Sequence, residues 1–194
     1  MLIEHRGISP SVAKSAYVAA TAVICGDVEV GDDCRIMFGA VVVAEDAPVR
    51  IGARTVIMEN AVVRAWPGLP VAVESDVMIG PGANVNGARI DHDAFVAAGA
   101  AIFPGAELGD HAIVRRNSVV HINSVLPPGR VVPEGWTAIG RPADVVPPGE
   151  DERMLFSLYG MNFTKAIFGE SRAEIGMKNY LDLLGAHRDD RLIT

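Results

Sequence analysis

Aliphatic residues recur every six positions along the chain, at Val18, Ile24, Val30, Ile36 and Val42, at Ile51, Ile57 and Val63, and at Val73, Ile79 and Val85. The phase then slips by one residue and the row continues at Ile90, Val96, Ile102, Leu108, Val114, Val120, Leu126 and Val132. Four residues after most of these stands a small side chain, among them Ala22, Cys34, Ala40, Ala61, Ala83, Ala94, Ala100, Ala106, Ala112, Ser118 and Ser124. A period of six fits neither an amphipathic helix nor simple alternation. It fits short strands joined by tight turns, each turning one aliphatic and one small side chain inward. Three such strands close a coil, and stacked coils bury a continuous column of side chains. Gly, Asp, Asn and Pro fall where the turns need them, as in Gly31-Asp32-Asp33 and Gly109-Asp110.

The expected fold is therefore an all-β solenoid, a parallel β-helix of hexapeptide repeats over residues 1–146. Solenoids of this class are left-handed, an exception to the right-handed crossover rule. Two stretches break the period. Val42 to Ile51 carries Ala44-Glu45-Asp46-Ala47-Pro48, and Val63 to Val73 carries Trp66-Pro67-Gly68-Leu69-Pro70. Both read as loops thrown out from the coil, where sites tend to lie. The pattern ends after Val132. Pro142, Pro147, Pro148 and Gly149 read as a linker opening a second region, 147–194, of C-terminal helices packed on the solenoid. Met154, Leu155, Leu158, Met161 and Phe163 make one apolar stripe, and Ser171-x-x-Glu174 is a capping box before Ile175, Tyr180, Leu181 and Leu184.

With 49% hydrophobic but only 6% aromatic residues, 20 Gly and 12 Pro, the core must be narrow and filled by Val, Ile and Ala. The net charge of −7 and the scattered basic residues argue against nucleic acid as a partner. Neither a signal-length nor a membrane-spanning apolar run is present, so no membrane partner and a cytoplasmic location are expected. Cys25 and Cys34 have neither metal nor disulfide spacing. His92 and His111 read as solvated turn residues, His121 lies on a coil face, and His5 and His187 stand near opposite ends of the sequence.

Four segments, in order, resemble the γ-class carbonic anhydrase-like family of hexapeptide proteins over roughly residues 10–150. Ala22 to Asp46 (AVICGDVEVGDDCRIMFGAVVVAED) looks like its opening coils, and Arg50 to Arg64 (RIGARTVIMENAVVR) like its next. Met78 to Ile90 (MIGPGANVNGARI) looks like its Gly-His-Gly-Ala-x-x-His-Gly segment, one-residue shift included, and Ile139 to Val146 (IGRPADVV) like its closing motif. The resemblance implies a homotrimer. It also implies three zinc-binding histidines, but Arg64, Pro81 and Asn86 stand at those positions. Arg stays protonated with no lone pair to give, and Pro has no donor atom. Ala44-Glu45-Asp46 replaces the family's Arg-Gly-Asp, and Met58 its usual Gln. No zinc of the family type, and hence no zinc-hydroxide hydration of carbon dioxide, is expected; no other metal or cofactor is called for either.

Stacking the strands of Ile24, Val42, Val63, Val85, Ile102 and Val120 predicts an outward ladder of Cys25, Val43, Arg64, Asn86, Phe103 and His121, with rungs about 4.8 Å apart. Arg64 beside Asn86 is a candidate cradle for a carboxylate, a phosphate or a developing oxyanion. Glu45, Asp46 and Glu59 are candidates for a general base or for holding Arg64 in place. Trp66 on the inserted loop, Asn84, Pro81 from a neighbouring subunit of the implied trimer, and Tyr159 are candidate substrate-binding residues. The expected function is an enzyme, independent of metal, acting on a small anionic or acyl (thioester or carboxylate) substrate in a subunit-interface cleft, with a coenzyme A thioester as one substrate class. The alternatives are a non-catalytic trimeric binding or assembly protein and an acyltransferase of the hexapeptide class.

Overall fold

The computed structural model describes residues 1–150 and 177–193. Its strands form three parallel stacks that are the three walls of a prism. One seven-stranded sheet runs from Ser11–Val12 through Val28–Val30, Val49–Ile51 and Val71–Val73 to Val125–Leu126. A second seven-stranded sheet runs from Tyr17–Val18 to Val131–Val132. The largest sheet, of ten strands, contains Leu2–Glu4, Val23–Cys25, Val41–Ala44, Val62–Ala65, Asn84–Asn86, Ala101–Ile102, Val119–Val120 and Thr137–Gly140. The chain visits the three walls in rotation, so each strand pairs with strands one coil before and after it. The result is the parallel β-helix architecture expected of the repeat.

The inward rows are the core. Ile24, Val42, Val63, Val85, Ile102, Val120 and Ala138 stack on the ten-stranded wall with no exposed surface. The small row, including Ala22, Ala40, Ala61, Ala83 and Ala100, is equally buried beneath the corners. Each fully buried aliphatic side chain contributes about 1.5–3 kcal/mol of transfer free energy. Small residues are needed at the corners because two walls converge there.

Some corners require a left-handed backbone, supplied by Asp33, Arg54, Asn60, Asp76, Asp93, His111, Asn117 and Asn123 as well as by glycines. Asx residues tolerate that region best among non-glycines. Both ends of the ten-stranded wall are closed by antiparallel strands. Ala143–Val146 folds back on Thr137–Gly140 at one end, and Arg191–Ile193 pairs with Leu2–Glu4 at the other.

The second predicted helical stretch is present as a helix over Met177–Gly185, followed by a 3-10 turn at Ala186–Asp189. The terminal strand after it has no hexapeptide signature. The apolar stripe from Met154 to Phe163, the Ser171 capping box and Tyr159 lie outside the described residues. Among the described residues no helix is long and apolar enough to cross a membrane.

Candidate functional site

The ladder register is the predicted one: Cys25 pairs with Val43, Val43 with Arg64, and Arg64 with Asn86. Beyond Arg64 the wall ends in an expanded corner. Trp66 and Leu69 close the Trp66–Pro70 loop by an antiparallel bridge, with Trp66 N–H donating to Leu69 O at 3.0 Å and Leu69 N–H to Trp66 O at 2.8 Å. The Glu45–Pro48 loop leaves the coil before it from the matching position. A third expanded corner, His5–Ile8, has the same bridge as the Trp66 loop and lies two coils from the Glu45–Pro48 loop. Gly26 makes the corner between His5 and Ala44 tight. A Cβ there would sit 2.8 Å from the Ala44 carbonyl oxygen and 3.4 Å from His5 Cβ. The sequence pattern exposes the Glu45–Pro48 and Trp66–Pro70 corners, because they break the period. The His5–Ile8 corner precedes the repeat and gives no such signal.

These corners bring His5, Glu45, Arg64 and Trp66 onto one side of the prism. The Arg64 guanidinium lies over the Trp66 ring, with Cζ 5.4 Å from its centroid. Its only ion pair among the described residues is with Glu45, Nε to Oε1 at 3.7 Å, too long for a hydrogen bond. Glu45 is 2% exposed and Arg64 33%. A buried carboxylate needs compensation, and Glu45 obtains it from Arg64 and from His187 Nε2 at 2.9 Å. Asp46 does not reach Arg64; it pairs with Arg6 at 2.6 Å. Glu59 lies on a different corner, where its carbonyl accepts from Gly82 N–H. Asn86 is half-buried on the next rung. Asn84 is exposed and turns its amide to the Gly82 carbonyl at 3.3 Å. Pro81 is an exposed turn residue on the Glu59 corner, away from Arg64 within one chain.

The separation of the histidines expected from sequence position is overturned for two of them. His5 and His187 stack, with ring centroids 4.3 Å apart. Asp190 lies between them, its Oδ1 2.6 Å from His5 Nδ1 and its Oδ2 2.8 Å from His187 Nδ1. Cys25 Sγ is 3.7 Å from Asp190 Oδ2. The terminal strand draws His187 and Asp190 here by pairing with Leu2–Glu4. The i,i+3 spacing of His187 and Asp190 is a local hint, but nothing in the sequence links it to His5. His92 and His111 are exposed turn residues, as expected, near Asp76 and Asp93 respectively.

Electrostatics within this group follow from burial and neighbours. Burial pushes the Cys25 thiol up to about 12, helped by the Asp190 charge, a hydrogen bond to Asp190, and Glu45. Cys25 is thus no nucleophile in this setting. Burial disfavours a charged His187 ring, but hydrogen bonds to Asp190 and Glu45 outweigh it and raise the pKa. Burial likewise works against the Asp190 carboxylate, yet hydrogen bonds from His187 and His5 hold its pKa below the ordinary range. A small pocket of about 120 Å³ lined by His5, Arg6, Asp27, Glu45 and Asp46 opens beside the group.

The positions that would hold a γ-class zinc do not fit one. Arg64 presents a guanidinium, Pro81 a ring without a donor, and Asn86 an amide, which is at most one weak donor out of three.

No protein-family model matches the chain. It is 33% identical over 146 residues to a protein named carbonic anhydrase from Geobacillus kaustophilus, spanning 75% of this chain and 77% of that protein. It is 30% identical over 154 residues to gamma carbonic anhydrase 2, mitochondrial, of Arabidopsis thaliana. That match covers 76% of this chain but 53% of the plant protein, so the chain spans about half its length. Among solved structures, a Bacillus cereus protein described as a candidate acetyltransferase superposes with a TM-score of 0.57 at 29% identity, covering 79% of this chain and 87% of that one.

Proposed function

The chain belongs to the γ-class carbonic anhydrase-like family of hexapeptide-repeat proteins, and we propose that within it this protein binds a small anionic or acyl substrate on Arg64, with no metal at the family's zinc position. The observation that carries this reading is the state of Arg64. It is one-third exposed, lies over the Trp66 ring, and among the described residues is balanced by a single carboxylate that is not hydrogen-bonded to it. The contact holds the guanidinium over the Trp66 ring, and since Nε is buried the terminal N–H groups are the ones to grip a carboxylate or a thioester carbonyl. Asn86, one rung along, supplies a neutral donor beside that cation. Together they form a preorganised cradle for negative charge that develops on oxygen.

Glu45, committed to Arg64 and His187, acts here as a positioning residue, while Asp46 is taken up by Arg6. In a homotrimer the neighbouring subunit would close the cleft with Pro81 and Asn84. Acyl transfer, hydrolysis and lyase chemistry all suit such a cradle. A second reading, a non-catalytic binding or assembly subunit, is favoured by the same Glu45–Arg64 pair, which leaves Arg64 partly neutralised without any ligand.

Thermal denaturation with small carboxylates and coenzyme A esters tests the proposal. A ligand at a hundredfold excess over its Kd stabilises by about 2.7 kcal/mol, a Tm rise of roughly 5–10 °C for a chain of this size. The rise is expected in the natural protein and absent in Arg64→Ala. Equal stabilisation of both proteins by every such compound, or of neither, rejects the anion site.

A further inference from the structure

One donor atom from each of His5, Cys25, His187 and Asp190 lies within 4.8 Å of every other. Zinc–ligand bonds of 2.0–2.3 Å in a tetrahedron set donors about 3.3–3.8 Å apart. The four side chains therefore need to draw together by roughly 1 Å at the widest pair. We propose that they form a binding site for a divalent transition metal, with zinc the best match. Two imidazoles, a thiolate and a carboxylate are the donors zinc prefers, and the two anionic ones cancel its charge. Hard cations such as magnesium or calcium would instead select an all-oxygen set.

The surroundings support the assignment independently of the donor count. Both His5 and Cys25 are almost fully buried, 2% and 3% exposed. His187 has its Nε2 on Glu45 at 2.9 Å and its Nδ1 facing Asp190. That is the carboxylate–histidine arrangement which fixes the tautomer of a metal-bound ring. Without a metal, both His187 nitrogens face carboxylates and each needs a proton. A cation on the Nδ1 side takes the place of one of them.

With four protein donors the shell is closed, which marks a structural site rather than a hydrolytic one. It ties the turn carrying His187 and Asp190 to the first two coils. It also sets Glu45, through His187, against Arg64. The inference concerns residues distinct from the Arg64–Asn86 cradle and does not rest on the anion reading.

The test uses the full chain with any affinity tag removed, loaded with zinc and passed through gel filtration. One zinc per chain is expected in the natural protein, in Arg64→Ala and in Cys34→Ala. Cys25→Ser and His187→Ala are expected to lose metal affinity by about tenfold or more. Cobalt(II) loading gives a second reading that needs no variant. A near-ultraviolet thiolate-to-cobalt band is expected, and it disappears in Cys25→Ser. No retained zinc, no such band, or equal retention by the two ligand variants overturns the site.

Discussion

Arg64 and Gly26 show how a single side chain, or the lack of one, shapes this corner. Arg64 introduces a permanent cation that needs an acid nearby, and buried Glu45 answers it from the preceding loop. Gly26 does the opposite by withholding atoms. Its φ of +81° and the 2.8 Å approach of the Ala44 carbonyl leave no room for a Cβ. Gly26→Ala should cost about 2–4 kcal/mol, from a left-handed backbone and a clash with main chain. Gly7→Ala is the control, since φ is +75° there but nothing lies within 4 Å. Urea midpoints of the two variants measure the difference. Equal losses would show that the close packing beneath His5 is not what Gly26 protects.

Among the elements, the terminal strand Arg191–Ile193 has an effect out of proportion to its length. It covers the open edge of Leu2–Glu4, which would otherwise present unpaired backbone groups to any extended chain. Its side chains are exposed, so its backbone pairing and the His187–Asp190 turn hold it. Removing residues 190–194 should leave the repeat folded, because the buried rows lie elsewhere. The edge is then expected to be sticky. Light scattering on heating should show earlier, concentration-dependent aggregation, while the circular dichroism of the cold protein is unchanged. A loss of β-structure at low temperature would instead make this strand part of the folding core.

For the whole molecule, coils contact only their neighbours, so charges at the corners line up in short ladders. Arg54 and Asp76, one coil apart, form a bidentate pair at 2.6 and 2.5 Å. The hydrogen bond from Arg54 holds the Asp76 carboxyl below the usual range, outweighing the opposing effect of burial. A depressed folded pKa gives stability that is present above the unfolded value and lost as pH falls through the folded one. The pair is exposed, so its effect is small. Urea unfolding between about pH 6 and pH 3 should show a shallower acid decline in Arg54→Ala than in the natural protein. Parallel declines would assign the acid limb to other carboxylates.

The hexapeptide period by itself determined the walls, their register, the buried rows and the ladder that sets Arg64 beside Asn86. It could do so because each coil repeats one local rule and packs only on its neighbours, so sequence distance maps directly onto space. The interrupted period likewise exposed the loops carrying Glu45 and Trp66. The choice of Glu45 rather than Asp46 as the partner of Arg64 was decided by loop conformation, which no repeat encodes, whereas the period itself sets Glu59 on another corner. The meeting of His5 with His187 and Asp190 was decided by an antiparallel pairing between the two ends of the chain. That contact joins residues more than 180 positions apart, and backbone hydrogen bonds at a sheet edge carry no side-chain pattern from which it could be read.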